Sequence, residues 1–309
     1  MITIRENVAL SPFTTFRIGG VAKYFATVAS DADITEALRY AKEHRLRVFV
    51  LGGGSNILFS DTGFDGLVIK LENSGIESDG AHIIAGAGAT LGDVIAFATG
   101  KGLAGMELMA GIPGSVGGAV RGNAGAFGVE IGDLTTEVTC LDTRSMEVKT
   151  LAKEACEFSY RKSIFKKNGQ LLVLSVKIAL TPGDALQIGR IAQETIAKRE
   201  AKHPQHLSCA GSFFMNPTVT DEKLLEEFYH DTGVRARMNV LPAGWLIDHV
   251  GLRGKSVGGA RVSDIHPNYI LNTGTATAED VLILSSIVKQ RVRTQLGIRL
   301  MEEPQLVGF

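Results

Sequence analysis

Glycine is concentrated in one segment of this chain, and that segment limits what the chain can fold into. Seven of the 18 residues 111–128 are glycine, and Arg121 is the only formally charged residue among them. Glycine in a helix or strand costs roughly 0.5 to 1 kcal/mol relative to alanine. Apolar residues recur through the segment and argue against a mobile loop. We therefore expect its backbone to approach a large, flat, anionic ligand, with hydrogen bonds from Ser115 and Asn123.

A second glycine cluster follows a predicted strand at residues 47–51. Gly52, Gly53 and Gly54 can adopt positive φ and turn consecutive backbone N–H groups toward a phosphate, as in a nest for a pyrophosphate. The cluster is not a P-loop, because no Gly-Lys-Ser/Thr follows it. It is not a Rossmann fingerprint either, since Ile57 stands where the third glycine belongs. The alternative is an ordinary glycine-rich turn between a strand and a loop.

Composition narrows the class of protein. The 36 glycines among 309 residues show no triplet period, which excludes collagen, and 45% hydrophobic residues exclude a disordered chain. A net charge of -1 gives no electrostatic reason to bind nucleic acid or an anionic membrane. We therefore expect small-molecule partners, no nucleic acid and no membrane insertion.

Cysteine usage and the N-terminal sequence predict a cytoplasmic protein. Cys140, Cys156 and Cys209 form no CxxC pair, and their odd number argues against a disulfide framework. The N-terminus lacks the apolar region of a secretory signal. The conspicuous apolar stretch at 108–120 is shorter than the roughly 18 residues needed to span a bilayer.

Hydrophobic periodicity predicts a mixed α and β chain. Alternation at 171–180 predicts a strand that buries Leu172, Leu174, Val176, Ile178 and Leu180. A helix at 277–296 carries a Thr277/Asp280 capping box and core positions at Val281, Leu284, Val288 and Val292. The other predicted strands are 23–28, 47–51, 67–71, 82–85 and 137–142, and the other helices are 31–44, 90–99, 185–202 and 221–230.

Two further segments could carry chemistry. Residues 160–167 contain Arg161 beside an aromatic residue, and such a cluster is either a solvated face or a carboxylate clamp. Ser212, before two phenylalanines, is either a hydroxyl in an apolar pocket or a turn serine, and no GxSxG motif is present. The HxxH pair at His203 and His206 lacks a carboxylate partner, so we predict no metal site.

Taken together and in this order, these segments resemble the UDP-N-acetylenolpyruvoylglucosamine reductase family of bacterial cell-wall precursor synthesis. The similarity runs from about residue 7 to the C-terminus. The stretches that carry it are 7–20, 52–58, 110–128, 160–163, 211–212, 243–247 and 297–303.

The resemblance implies an α+β protein with two domains. Residues 1–185 would form an FAD-binding fold of two α/β lobes, about 1–70 and 71–185, of the vanillyl-alcohol-oxidase type. Residues 186–309 would form an α+β domain for a UDP-sugar. NADPH would reduce non-covalently bound FAD, which in turn would reduce the enolpyruvyl group to give UDP-N-acetylmuramate. We expect a monomer of the family's shorter form, which lacks an extra substrate-capping segment.

The resemblance also assigns residues by position. Arg161 matches the family's catalytic arginine, Ser212 its proton donor and Glu303 its catalytic glutamate, with Glu302 as an adjacent alternative. The predicted cofactor-binding residues are Gly52, Gly53, Gly54, Ser55, Asn56, Gly111, Pro113, Gly114, Ser115, Gly118, Asn123 and Gly125.

This chain departs from the family pattern near two of these positions. Met215 stands where many members carry lysine, so a cationic contact to the UDP-sugar is missing there. Met301-Glu302 replaces the usual Glu-Pro, and Pro304 follows Glu303 where valine is common. Two rival functions remain: an alcohol oxidase or dehydrogenase on the same flavin fold, and a nucleotide-sugar-binding module without redox chemistry.

Overall fold

The computed structural model describes residues 2–202 and 207–309, and these residues form two compact units. The first unit comprises residues 2–8, 22–54 and 65–201. The second comprises 9–21, 55–64 and, from residue 207 onward, the rest of the chain.

This division differs from the one predicted at residue 185. The helix that follows residue 184 belongs to the first unit, because its Ala192 is buried in that unit's core. Residues 55–64 belong to the second unit, because Leu58 lies in its core. A split of the sequence into contiguous halves cannot represent such long-range packing.

The elements follow one another in a mixed order. The strands are β1 (Ile4–Ala9), β2 (Val21–Val28), β3 (Val48–Leu51), β4 (Ile57–Phe59), β5 (Phe64–Leu71), β6 (Ile76–Asp79), β7 (His82–Gly86), β8 (Leu103–Ala104), β9 (Gly125–Ala126), β10 (Val129–Glu130), β11 (Thr135–Asp142), β12 (Glu147–Ala152), β13 (Leu171–Ala179), β14 (Thr181–Pro182), β15 (Cys209–Ser212), β16 (Ser256–Val257), β17 (Ala260–Val262), β18 (Tyr269–Asn272) and β19 (Gln305–Val307). The α-helices are α1 (Asp31–Glu43), α2 (Leu91–Gly100), α3 (Val116–Gly122), α4 (Ile131–Leu134), α5 (Ile164–Lys167), α6 (Ala185–Lys202), α7 (Glu222–Thr232), α8 (Ala243–His249) and α9 (Ala278–Leu296).

The first unit contains two main sheets. One has the strand order β1-β2-β5-β3, with β3 and β5 parallel, and the other is antiparallel in the order β12-β11-β13-β7-β6. Helix α1 begins after Ser30, whose hydroxyl accepts a hydrogen bond from Asp33 N and satisfies one of the free N–H groups of the first turn. The predicted helix at 31–44 is confirmed, and it buries Ile34, Ala37, Leu38 and Ala41.

The predicted alternation of β13 holds only in part. Leu174, Val176, Ile178 and Leu180 are buried as expected, but Leu172 is half-buried while its neighbour Val173 is buried. The cause is an irregularity in the pairing with β11, which skips Leu174 and so shifts the inward-facing positions by one.

The second unit is built around an antiparallel sheet in the order β15-β18-β17-β16. Helix α9 packs on β16 and β17, and its four predicted core residues are fully buried. The short strands β4 and β19 pair in parallel in the same unit.

Three further expectations concern the cysteines, membrane-spanning helices and the HxxH pair. Cys140, Cys156 and Cys209 are buried free thiols, and burial raises the pKa of Cys156 to about 11. In the described part of the chain, no helix has the length and apolar character needed to cross a membrane. The pair His203 and His206 lies outside the described residues.

The start of α9 provides a test of the fold. Thr277 Oγ1 accepts from Asp280 N at 3.0 Å, and Thr277 N donates to the Asp280 carboxylate at 3.1 Å. Loss of an N-cap hydroxyl costs about 1 kcal/mol. Thr277→Ala should therefore lower the stability of the second unit by about that much in urea unfolding followed by Trp245 fluorescence. Thr277→Ser keeps the hydroxyl and is the control; equal losses in both variants would contradict the capping role.

Candidate active site

The two glycine-rich segments contact each other within the first unit. Gly53 N donates to Ser115 Oγ at 3.3 Å. A Cβ on Gly53 would lie 2.6 Å from Gly114 Cα and 2.8 Å from Ser115 N, distances that real side chains do not reach. Gly54 and Gly114 have φ of +66° and +115°, which favour glycine. The backbones meet at a spacing that excludes side chains.

Ser115 joins these segments and also starts α3. Its buried hydroxyl accepts from Gly118 N at 3.4 Å as the N-cap. One residue into the helix, Gly117 N donates to Ala87 O at 2.9 Å, and a Cβ on Gly117 would lie 2.8 Å from Ala87 Cβ. Part of the glycine content therefore serves the packing of α3 rather than a ligand.

The composition of these segments is compatible with the pyrophosphate of FAD. Backbone N–H groups at positions without Cβ suit phosphate oxygens, and residues 51–58 contain no carboxylate that would repel them. Arg121 in α3 is partly buried, and burial lowers the pKa of its guanidinium. A cation at this place favours an anionic ligand.

Asn123 has a different role from the predicted one. Its Nδ2 donates to Glu130 Oε2 at 2.6 Å and to Ser159 O at 3.0 Å, and its Oδ1 accepts from Gly132 N at 3.0 Å. The side chain is buried and bonded to protein groups, so the hydrogen bond that the sequence assigned toward a ligand is directed at the protein instead. Gly125 is likewise structural in part, because a Cβ there would lie 2.5 Å from Val129 O in the β9–β10 hairpin.

The remaining predicted cofactor residues occupy the same segments. Gly111 has a φ of +78°, and a Cβ there would lie 3.3 Å from Arg199 Cδ of α6. Pro113 and Gly118 are exposed. Ser55 and the exposed Asn56 follow Gly54 but belong to the second unit.

Arg161 lies in a tight turn of the first unit. Ser159 and Lys162 exchange backbone hydrogen bonds of 3.1 and 2.9 Å around it. Arg161 has a φ of +57°, which is strained for a residue with a long side chain and is typical of functional positions. Lys166 Nζ donates to Arg161 O at 3.1 Å, and the guanidinium lies 5.2 Å from the centroid of the Tyr160 ring.

The Arg161 turn is attached to the glycine-rich helix α3. Ser163 Oγ donates to Arg121 O at 2.7 Å, and Asn123 holds Ser159 as described above. The neighbouring Lys162 and Lys167 are exposed, whereas Arg161 is partly buried. The cationic cluster is thus divided, with the lysines in solvent and the arginine held by the fold.

Ser212 ends strand β15 of the second unit. The pairing of β15 with β18 is irregular between Cys209 and Ser212, and Gly211 has a φ of +73°. Such bulges change the direction of a side chain and are common beside active sites. Phe213 and Phe214 follow and are buried. Ser212 itself is partly buried.

The segment of Glu303 lies beside that of Ser212. Glu303 N donates to Phe213 O and Met215 N donates to Met301 O, both at 2.9 Å, so residues 301–303 run antiparallel to 213–215. The two methionines that depart from the family pattern thus lie opposite each other. The carboxylate of Glu302 forms an ion pair with Lys289 of α9.

Asn56 attaches this terminal segment on its other side. Its Nδ2 donates to Glu303 O at 3.4 Å, and its carbonyl accepts from Gln305 N at 3.0 Å. The structure therefore brings Asn56, Ser212 and Glu303 together in the second unit, while Arg161 and the predicted glycines belong to the first.

Sequence reasoning missed Asn268, which borders the Ser212 segment. Its backbone carbonyl accepts from Phe213 N at 2.7 Å, and its side chain bonds both backbone groups of Phe214. The only signal in the sequence is a Pro-Asn pair before a strand, which indicates a turn and not a function. Among the residues that the structure describes, no cluster of three or more His, Cys, Asp and Glu side chains could hold a metal ion.

Two family models match the chain. An FAD binding domain matches residues 22–150, and the C-terminal domain of UDP-N-acetylenolpyruvoylglucosamine reductase matches residues 203–307. The predicted fold class, an FAD-binding fold followed by the family's C-terminal domain, is confirmed.

Full-length relatives carry the same name. The UDP-N-acetylenolpyruvoylglucosamine reductase of Solibacter usitatus is 37% identical over 99% of this chain and 97% of its own length. That of Agathobacter rectalis is 40% identical over 98% and 93%. The crystal structure of the Thermus caldophilus enzyme aligns with a TM-score of 0.78 at 31% identity, covering 99% of this chain and all of the other. The chain belongs to the UDP-N-acetylenolpyruvoylglucosamine reductase family.

Proposed function

We propose that this protein is an FAD-containing, NADPH-dependent reductase of UDP-N-acetylenolpyruvoylglucosamine. Its product would be UDP-N-acetylmuramate, a precursor of peptidoglycan. The observation that carries the proposal is the pairing of the Ser212 and Glu303 segments in a chain that matches named reductases over 99% of its length. We expect a monomer in the cytoplasm.

The main chain of residues 52–54 and 111–115 would hold the FAD pyrophosphate. Gly53 N bonds Ser115 Oγ, so other backbone N–H groups of these segments would donate to the phosphate oxygens. Bound FAD, once reduced by NADPH, supplies the hydride for the terminal carbon of the enolpyruvyl group. The protein must then stabilise the charge that develops on the substrate and protonate its α-carbon.

Arg161 would stabilise the negative charge that develops on the substrate carboxylate. A preorganised cation at the place where charge develops lowers the barrier without reorganisation. A guanidinium binds a carboxylate with two parallel hydrogen bonds and stays protonated at working pH. The hydrogen-bonded turn around Arg161 supports this role, because it fixes the backbone from which the side chain extends.

Ser212 would donate the proton to the α-carbon. A serine hydroxyl is a weak acid, so it needs a strongly basic acceptor such as an enediolate, and a relay must return the proton. Ser212 itself is partly buried, and burial strengthens electrostatic interactions.

Glu303 would be the catalytic carboxylate. The neighbouring Glu302 is already paired with Lys289 of α9. Adjacent residues in an extended segment point to opposite sides, so a pair at Glu302 directs Glu303 the other way. Glu303 would act in its protonated form, because a second negative charge would oppose the charge that develops on the substrate.

Removal of the Ser212 hydroxyl tests the proposed function. Ser212→Ala should slow reoxidation of the reduced flavin by the enolpyruvyl substrate about 100-fold or more, which is typical for loss of a general acid. Bleaching of the flavin by NADPH should stay within about twofold of the wild-type rate, since it does not use this proton. Stopped-flow absorbance measures both half-reactions. Reoxidation at the wild-type rate would remove Ser212 from the role.

A methyl group at Gly53 tests the proposed cofactor cradle. Gly53→Ala places a Cβ against the backbone of Gly114 and Ser115, so the two segments must separate. The purified variant should contain little flavin, as measured by the ratio of visible to ultraviolet absorbance. Gly100→Ala is the matched control, because a Cβ there has no atom within 4 Å. Full flavin content in Gly53→Ala would argue against the cradle.

The two adjacent glutamates can be separated by isosteric variants. Glu303→Gln should lower kcat about 100-fold or more if this carboxylate serves the chemistry. Glu302→Gln loses only the ion pair with Lys289, a partly exposed pair worth on the order of 1 kcal/mol of stability. Steady-state kinetics of both variants decide the assignment. A larger loss of kcat in Glu302→Gln would reverse it.

A further inference from the structure

Next to Ser212, the buried side chain of Asn268 makes the kind of backbone hydrogen bonds that a neighbouring strand would make. Its Nδ2 donates to Phe214 O at 2.8 Å, and its Oδ1 accepts from Phe214 N at 3.0 Å. The amide thus pairs with the peptide of Phe214 as a neighbouring strand would. Asn268 is 3% exposed, so water does not compete for these bonds.

A side chain is needed here because of the residue before it. Pro267 has no N–H group and cannot donate to a strand ladder. Strand β18 begins at Tyr269, opposite Ser212, while Phe213 and Phe214 continue past the start of β18. The carbonyl of Asn268 accepts from Phe213 N, and its amide bonds Phe214, so the two residues after Ser212 stay attached.

The terminal segment, residues 301–303, forms hydrogen bonds with the other edge of residues 213–215. Phe213 O accepts from Glu303 N, and Met215 N donates to Met301 O. Residues 213–215 therefore lie between Asn268 on one side and residues 301–303 on the other. Any displacement of Phe214 toward or away from Asn268 moves Ser212 and Glu303 together.

We infer that Asn268 is a positioning residue that sets the places of Ser212 and Glu303 for proton transfer to the substrate. The inference rests on the proposed function of those two residues. Loss of the amide leaves the N–H and C=O of buried Phe214 without these partners, and the segment must shift to satisfy them. A shift of about 1 Å in a reacting group can cost about 100-fold in rate.

The test compares two asparagines of the same sheet. Asn268→Ala removes both bonds to Phe214. Asn272→Ala is the matched control: Asn272 lies at the other end of β18, and its amide also bonds only backbone groups, those of Phe16, Gly274 and Ala276. Both holoenzymes are reduced with NADPH and reoxidised with UDP-N-acetylenolpyruvoylglucosamine in H2O and in D2O.

Asn268→Ala should slow reoxidation about tenfold or more at saturating substrate and increase its solvent isotope effect, because proton transfer becomes the slow step. NADPH bleaching should stay within about twofold of wild type. Asn272→Ala should leave both half-reactions within about twofold, and we expect urea unfolding to show a lower stability than wild type. A merely structural Asn268 would lower stability without changing the isotope effect.

The outcomes that overturn the inference are distinct from those that overturn the function. Normal reoxidation in Asn268→Ala, or equal slowing in both asparagine variants, overturns the positioning role. Normal reoxidation in Ser212→Ala overturns the proposed role of Ser212 instead. If Asn268→Ala does not retain flavin, Asn268→Gln is measured in its place: its extra methylene displaces the amide, and the same rate and isotope-effect criteria decide.

Discussion

The contact between two glycine backbones, at Gly53 and Gly114, is the constraint on which the proposed cofactor site depends. Three features converge there: a strand that ends at Leu51, a serine that caps α3, and donors that no Cβ covers. A hydroxyl at Ser115 links the two segments, so neither is placed independently. Glycine loses more conformational entropy on folding than other residues do. At these positions it allows the two backbones to lie closer together than any residue with a side chain would permit.

In the second unit, hydrogen bonds to the main chain of residues 213–215 hold the segment of Ser212 beside the terminal segment. Residues 213–215 form hydrogen bonds with Asn268 along one edge and with residues 301–303 along the other. The main chain of residues 213–215 thus holds the segments of the proposed proton donor and carboxylate together, through bonds that the side chains at 215 and 301 do not make. This explains how methionine can occupy both 215 and 301, since their contribution to the pairing is made by N–H and C=O groups.

Local signals in the sequence predicted most of the elements but few of the long-range relations. Helices α1 and α9 were predictable because their caps and apolar faces lie within a few residues of one another. The shift in β13 was not, since it depends on the pairing with β11, which is irregular between Thr139 and Cys140. The order of motifs identified the family, whereas the structural roles of Asn123 and Asn268 depend on partners that are distant in sequence. No periodicity encodes such partners.

The parallel pairing of β4 with β19 has a consequence for the timing of folding. Residues 57–59 leave the ribosome long before residues 305–307, so β4 must wait for a partner while the intervening chain is made. Leu58 belongs to the core of the second unit and stays without that core until then. The first unit can bury its own core earlier, because its remaining segments end at residue 201. The segment of Ser212 can therefore pair with residues 301–303 only after those residues have been made.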